Sequence, residues 1–355
     1  MTTNKVVLVE DSPVALEILQ RLLNSSSEID IVGTARNGAE GLEVITRTQP
    51  DVICTDLFME NMDGLELTKR VMAEDPRPIL VFSSFVQKAD VDNVFRLLQA
   101  GAADVFPKPA SNSASDYEKL KSALIAKIKV LSNMKVTQRQ QKQPLTVPGK
   151  AIASGALSSN QPPMINVSSR VKAIAIGAST GGLQAIQKIV CNLPSNFPLP
   201  IICTVHVGTG ILTGLVNWLS SDCPLRVKIA EVGESPAPGT VYFAPEKHNL
   251  ELDVQGKFIY ANCAETDKNC PSISAMFNSV ASYYGRATVG VLLKGIGRDG
   301  AEGLRAIARA GGITVAQDDK GGAFGMVKEA IALDAVQQVL AVEKMAAFLL
   351  KSVSE

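Results

Sequence analysis

This sequence predicts two α/β domains: a (βα)5 unit, then a larger, doubly wound and mostly parallel domain carrying an antiparallel hairpin. Three observations carry that expectation. The chain has 355 residues, more than one hydrophobic core usually organises. Short β-branched runs alternate with amphipathic stretches in two blocks, the pattern of parallel sheets covered by helices. Between the blocks, from about Lys135 to Ser169, lies a tract rich in Gln, Ser, Pro, Gly and Asn with no sustained apolar period, which reads as a linker. The expected boundaries are 1–130, 131–169 and 170–355.

In the first block the strand candidates are Val6 to Val9, Ile29 to Val32, Val52 to Cys54, Ile79 to Phe82 and Val105-Phe106. Between them Leu16, Leu19, Leu22 and Leu23 recur at helical spacing, as do Leu120, Leu124, Ile128 and Leu131. In the second block strands are expected at Ala173 to Ile176, Ile201 to Val205, Val227 to Ala230, Val241 to Ala244, Val289 to Leu293 and Ile313 to Ala316. Leu250 to Tyr260 alternates apolar and polar residues around Gln255-Gly256, a hairpin expected to interrupt the parallel pattern and make the sheet mixed.

With 35 basic and 35 acidic residues, charge favours neither nucleic acid nor an anionic membrane surface. Met1 to Lys5 leads straight into an apolar strand without the features of a signal peptide, and no apolar run approaches the roughly 20 residues of a membrane-spanning helix. A soluble, cytoplasmic chain with no direct membrane insertion is expected. Cys54, Cys191, Cys203, Cys223, Cys263 and Cys270 show no CxxC spacing, and several sit in apolar segments, so neither disulfides nor structural zinc is expected. His206 and His248 are the only two histidines, so imidazole chemistry has two candidates.

Loops after the carboxyl ends of parallel strands converge on one edge, where ligands bind. In the first domain Glu10, Asp11 and Asp56 fall there. Carboxylates gathered together repel unless a cation intervenes, and an all-oxygen cluster suits Mg²⁺. This pattern predicts a metal-assisted phosphoryl acceptor. Ser83, ending the fourth strand, can donate to a phosphoryl oxygen, and Lys108, after the fifth, can pair with the added charge. Taken singly, any of these acids reads equally well as a turn-former or helix N-cap.

In the second domain Ile174 to Leu183 places Ser179 among glycines at a strand-to-helix turn, where free backbone N–H groups can stabilise an oxyanion. A phosphate or dinucleotide loop is the alternative, although neither GxGxxG spacing nor a Walker lysine is present. A nucleophilic serine needs a base. His206 ends the next strand, whereas His248 precedes the hairpin and reads as rim. A carboxylate to hold the imidazole is available in Asp299, after the strand ending near Leu293, though Asp299 can also be read as capping the helix that follows. Glycines around Ile296 leave its N–H a candidate oxyanion donor. Together these positions favour acyl transfer or ester hydrolysis.

Val6 to Asp11, Thr55 to Gly64, Gly101 to Asp104 and Lys108-Pro109 resemble the receiver domain of bacterial response regulators, which has a flavodoxin-like fold. The resemblance implies that Asp56 is the aspartyl-phosphate site, that Glu10 and Asp11 join it in holding Mg²⁺, and that Ser83 and Lys108 sense the phosphate. Glu60 stands where that family often has Pro, and Val105 where it often has an aromatic residue. Gly177 to Gly182, Gly297 to Gly300 and Phe324-Gly325-Met326 resemble the catalytic domain of the chemotaxis-specific protein-glutamate methylesterases, whose whole architecture is receiver, linker and this domain. That resemblance implies Ser179 as nucleophile, His206 as general base and Asp299 as its orienting acid. It further implies hydrolysis of γ-glutamyl methyl esters, extending to deamidation of glutamines, on methyl-accepting chemoreceptors, with a histidine kinase as phosphodonor and no cofactor for the esterase step. Val207, Ser274, Lys294 and Val327 depart from the usual residues. A non-catalytic regulator that binds a receptor without turnover is the alternative; a DNA-binding output would need a basic helical module that the C-terminal block lacks.

Overall fold

The computed structural model describes residues 3–83, 88–108, 114–134, 136, 171–208, 210–263, 269–318 and 325–354. The expected linker lies outside them apart from its first residues, as does Phe324.

In the first domain, strands and helices alternate as β1 (Asn4–Val9), α1 (Pro13–Asn24), β2 (Ile29–Ala35), α2 (Gly38–Thr48), β3 (Val52–Asp56), α3 (Gly64–Glu74), β4 (Ile79–Ser83), α4 (Lys88–Ala100), β5 (Asp104–Pro107) and α5 (Ala114–Ser132). The sheet order is β2-β1-β3-β4-β5, parallel throughout. Successive side chains of a strand point to opposite faces. Val6 and Leu8 accordingly pack with Leu19, Leu23, Leu124, Ile128 and Leu131, while Val7 and Val9 join the core under α2, α3 and α4. Strands buried on both faces read as continuous apolar runs, which is why they are visible in sequence.

In the second domain come β6 (Ala173–Ala178), α6 (Leu183–Val190), β7 (Ile201–Val205), α7 (Ile211–Asp222), β8 (Arg226–Ile229), β9 (Thr240–Phe243), β10 (His248–Leu252), β11 (Phe258–Asn262), α8 (Ile273–Tyr284), β12 (Thr288–Leu292), α9 (Ala301–Arg309), β13 (Ile313–Gln317), α10 (Gly325–Ala332), β14 (Gln338–Leu340) and α11 (Val342–Ser354). The main sheet runs β14-β13-β12-β6-β7-β9-β8, and every pair in it is parallel. Two expectations are corrected here. The hairpin does not make this sheet mixed: β10 and β11 pair only with each other as a separate antiparallel sheet, because their alternation fixes the partner strand but not the sheet joined. Disulfides link Cys191 to Cys223 and Cys263 to Cys270. The first pair is 32 residues apart in sequence and is brought together at the C-terminal caps of α6 and α7, so short-range spacing carries no sign of it.

The two domains pack together. Phe95 of α4 stacks on Trp218 of α7, ring centroids 4.9 Å apart and 17° from coplanar. The Gln184 amide, in the first turn of α6, donates to the carbonyl oxygens of Leu98 at 2.7 Å and Ala102 at 2.5 Å. Asp222 accepts from Gln99 of the first domain and from Gln187 of the second. One apolar core runs continuously from the α3/α4 face of the first sheet into the second domain. No helix among the described residues is long and apolar enough to cross a membrane.

Candidate functional site

In the first domain the chain leaves β1 toward β2 on one side and later returns to β3 on the other, so the loops after β1 and β3 open a crevice between them. Glu10, Asp11 and Asp56 sit there, with carboxylate oxygens all within 4.8 Å of one another. None of them caps a helix: Ser12, Asn37 and Asp63 cap α1, α2 and α3. The Lys108 ammonium lies 2.7 Å from Asp56 Oδ2 and 3.0 Å from Glu10 Oε2. Asp56 Oδ1 accepts the Leu57 N–H at 2.6 Å. Burial pushes the Glu10 carboxyl above its ordinary range, the Asp56 charge adds to this, and Lys108 opposes it. Burial likewise raises Asp56 against the pull of Lys108, with the Asp11 charge adding to the rise. Lys108 is itself disfavoured by burial, but its bonds to Asp56 and Glu10 win and hold it protonated. Glu10 is only 1% exposed, and its Oε2 accepts no hydrogen bond despite the nearby ammonium. An under-satisfied buried oxygen among mutually repelling carboxylates is what a hard divalent cation would relieve. Ser83, buried at the end of β4, accepts the Lys108 N–H on its carbonyl oxygen at 2.9 Å.

The second domain has the corresponding crevice beside β6, which continues to β7 on one side and meets the late strand β12 on the other. Ser179 follows β6, His206 follows β7 and Asp299 lies in the loop after β12. Ala178 pairs with Val205, so Ser179 and His206 leave neighbouring strands in the same register, and the His206 N–H donates to Ala178 O at 3.0 Å. Ser179 is 7% exposed. The Ser179 N–H donates to Lys294 O and its carbonyl oxygen accepts from Gly182, folding the chain into the tight turn that opens α6. Gly181 has φ +77°, and a Cβ on Gly182 would lie 2.7 Å from that of Ala178, so glycine is required at both positions.

His206 Nε2 lies 3.0 Å from Asp299 Oδ2, bridging the end of β6. Asp299 does not cap α9, where Gly300 is the N-cap; its carboxylate instead sits at the N-terminus of α8. There it accepts the N–H groups of Ile273 at 2.7 Å and Ser274 at 2.9 Å and the Ser272 hydroxyl at 3.0 Å. Burial raises the Asp299 carboxyl, but His206 and the Ser274 and Ile273 N–H groups outweigh it and hold the group well below the usual carboxylate range. The Ser179 hydroxyl and the His206 ring are not hydrogen-bonded to each other; such contacts often tighten only around substrate. His248 is elsewhere, stacked on Tyr260 in the hairpin, with Nδ1 3.3 Å from Glu246 O.

A family model described as CheB methylesterase matches residues 174–349, and one described as response regulator receiver domain matches residues 6–116. A protein-glutamate methylesterase/protein-glutamine glutaminase of Nitrosospira multiformis is 38% identical over 351 residues, 99% of this chain and 97% of its own length. The chain belongs to the protein-glutamate methylesterase/protein-glutamine glutaminase family. A second member, from Syntrophus aciditrophicus, is 38% identical and covers 98% of this chain and 97% of itself. The solved CheB methylesterase catalytic domain of Thermotoga maritima is 34% identical, covers 52% of this chain and 99% of its own, and has a TM-score of 0.49.

As a member of this methylesterase family the chain joins a receiver to a hydrolase domain, and its departures from the usual residues take definite places. Ser274 accepts the Gly300 N–H on its hydroxyl at 2.8 Å, bracing the loop that carries Asp299. Lys294 meets Ser179 through its carbonyl oxygen, so that contact does not depend on its side chain. Val207 packs half-buried against the core, and Val327 is buried in α10. Sequence reasoning missed Ser272 and Asn249, whose Oδ1 accepts the Ser272 N–H at 2.7 Å. Ser272 was within reach as an N-cap serine before an apolar helical period. Asn249, a lone polar residue in a hairpin, gave no signal.

Proposed function

We propose that the second domain hydrolyses γ-glutamyl methyl esters on the cytoplasmic helices of methyl-accepting chemoreceptors, and deamidates glutamines there, with Ser179 as nucleophile, His206 as general base and Asp299 as its orienting acid. The observation that carries this is the His206–Asp299 hydrogen bond at 3.0 Å spanning the end of β6, the strand that delivers Ser179. In this scheme His206 takes the Ser179 proton as Oγ attacks the ester carbonyl. It then returns the proton to the departing methoxide as methanol, and a water deprotonated by His206 cleaves the acyl-enzyme to give glutamate. Asp299 keeps its charge and stabilises the imidazolium. The backbone near Ile296 is the candidate oxyanion donor. The test is methanol release from methylated receptor helices, which Ser179→Ala should abolish.

For the receiver, residues 1–130, the proposal is that Asp56 accepts a phosphoryl group from a histidine kinase. Glu10, Asp11 and Asp56 would hold Mg²⁺, which when bound would screen the carboxylates and the incoming phosphoryl oxygens. In this reading Lys108, now 2.7 Å from Asp56 Oδ2, would trade that contact for the phosphoryl group, and Ser83 would sense it. Support for inhibition by the resting receiver comes from where it docks. A side-chain carbon on Gly208, two residues past His206, would lie 3.6 Å from Pro107 at the end of β5, and Gln184, which follows the Ser179 turn, is tied to the end of α4. Phosphorylation would then shift a docked–undocked equilibrium across the linker, residues 131–169.

A further inference from the structure

We propose that Ser272, anchored by Asn249 of the hairpin, is a positioning residue of the hydrolase: its hydroxyl fixes the Asp299 carboxylate and through it the His206 ring. This rests on the Ser179, His206 and Asp299 assignment above.

Asp299 sits in a loop whose own backbone is permissive, since Gly297 and Gly300 on either side both have φ +89°. Within the loop its carboxylate accepts only the Gly300 N–H, at 2.9 Å, and its other donors come from the start of α8 and from His206. Ile273 and Ser274 supply backbone donors that any residue type would supply; Ser272 contributes a side chain. A carboxylate only accepts, so the single hydroxyl proton of Ser272 points at Asp299 Oδ1. The Ser272 hydroxyl oxygen in turn accepts the Ala275 N–H at 3.2 Å, capping α8. Both functions of the hydroxyl are in use, which leaves it one orientation.

Capping alone does not call for serine. Aspartate and asparagine cap helices equally well. Aspartate at 272 would keep the cap, lose the donor and set a second negative charge against Asp299, so the two roles of Ser272 can be separated. Its backbone is pinned in turn, because the Ser272 N–H donates to Oδ1 of Asn249, a buried residue of β10. The hairpin takes no part in the main sheet, yet it is joined to the relay by a chain of contacts running from Asn249 through Ser272 and Asp299 to His206.

The test uses the full chain and methanol release from methylated receptor helices, with kcat and KM determined separately for Ser272→Ala, Ser272→Asp, Ser272→Thr and Asn249→Leu. A hydrogen bond to a charged group carries enough energy to lower kcat about 10- to 100-fold in Ser272→Ala and Ser272→Asp, with KM held within about twofold. Ser272→Thr, which keeps the hydroxyl, should restore kcat to within about threefold, and Asn249→Leu should shift kcat the same way by less. The second readout is the downfield proton resonance of the imidazole N–H facing Asp299, assignable because the chain has 2 histidines. It should move or broaden in Ser272→Ala and Ser272→Asp and return in Ser272→Thr. If Ser272→Ala fails to fold, Ser272→Asp, with α8 still capped, decides. Wild-type kcat together with an unmoved resonance in Ser272→Asp would overturn the proposal. Wild-type turnover in Ser179→Ala would overturn the relay and the proposal with it.

Discussion

Replacing Gln184 by alanine should weaken docking of the receiver without touching Ser179, His206, Asp299 or the acidic cluster of the first domain. The Gln184 amide closes two hydrogen bonds across the interface, to the carbonyl oxygens of Leu98, in the last turn of α4, at 2.7 Å and of Ala102, just past it, at 2.5 Å. Undocked, those carbonyls are met by water, so the net contribution is about 0.5–1.5 kcal/mol per bond. For both bonds this amounts to about 1–3 kcal/mol, or roughly 5- to 150-fold in the docking equilibrium. The Phe95–Trp218 stack and the contacts of Asp222 remain, so the interface is weakened rather than abolished. Without a phosphodonor, methanol release should rise by a factor within that range. The gain on adding a small phosphodonor should shrink by the same factor, because the activated ceiling belongs to the second domain. Unchanged basal turnover with an unchanged gain would refute docking as the brake.

Three further outcomes follow from the same geometry. Chelating divalent cations, or the change Asp56→Ala, should remove phosphodonor stimulation while basal methanol release persists, since Ser179, His206 and Asp299 lie in the other domain from the acidic cluster. Gly295→Ala should lower both turnover and melting temperature: the new Cβ would lie 2.6 Å from Ser179 Cβ, an overpacking that costs about 1–3 kcal/mol. Asp299 is depressed in the folded state, so the stability it contributes is complete above the unfolded carboxylate pKa of about 3.9 and is lost as pH falls below it toward the folded value. The stability difference between wild type and Asp299→Asn in urea unfolding should therefore shrink as pH falls below about 4.

Most of the fold was legible because parallel strands buried on both faces leave unbroken runs such as Val6 to Val9 and Ile201 to Val205. The strand that escaped notice, β14, is three residues long and half-exposed at a sheet edge, with Gln338 diluting its apolar signal. The hairpin was visible as an alternating segment, but alternation does not say that β10 pairs only with β11. The candidate site residues were legible where the topology concentrates side chains, at the carboxyl ends of β1, β3, β6, β7 and β12. What supports them was not. Ser272 reaches Asp299 across 27 residues of sequence and Asn249 reaches Ser272 across 23, distances over which neither periodicity nor motif spacing operates.

In the proposed scheme one chain couples phosphorylation of Asp56 to ester hydrolysis at Ser179. The direct measurement is methanol release from methylated receptor helices, with and without a small phosphodonor, for wild type and Ser179→Ala. Wild type should release methanol and do so faster with the phosphodonor, while Ser179→Ala should fall to no more than about a thousandth of wild type under both conditions. Turnover in Ser179→Ala equal to wild type, or wild-type release indifferent to the phosphodonor, would contradict it.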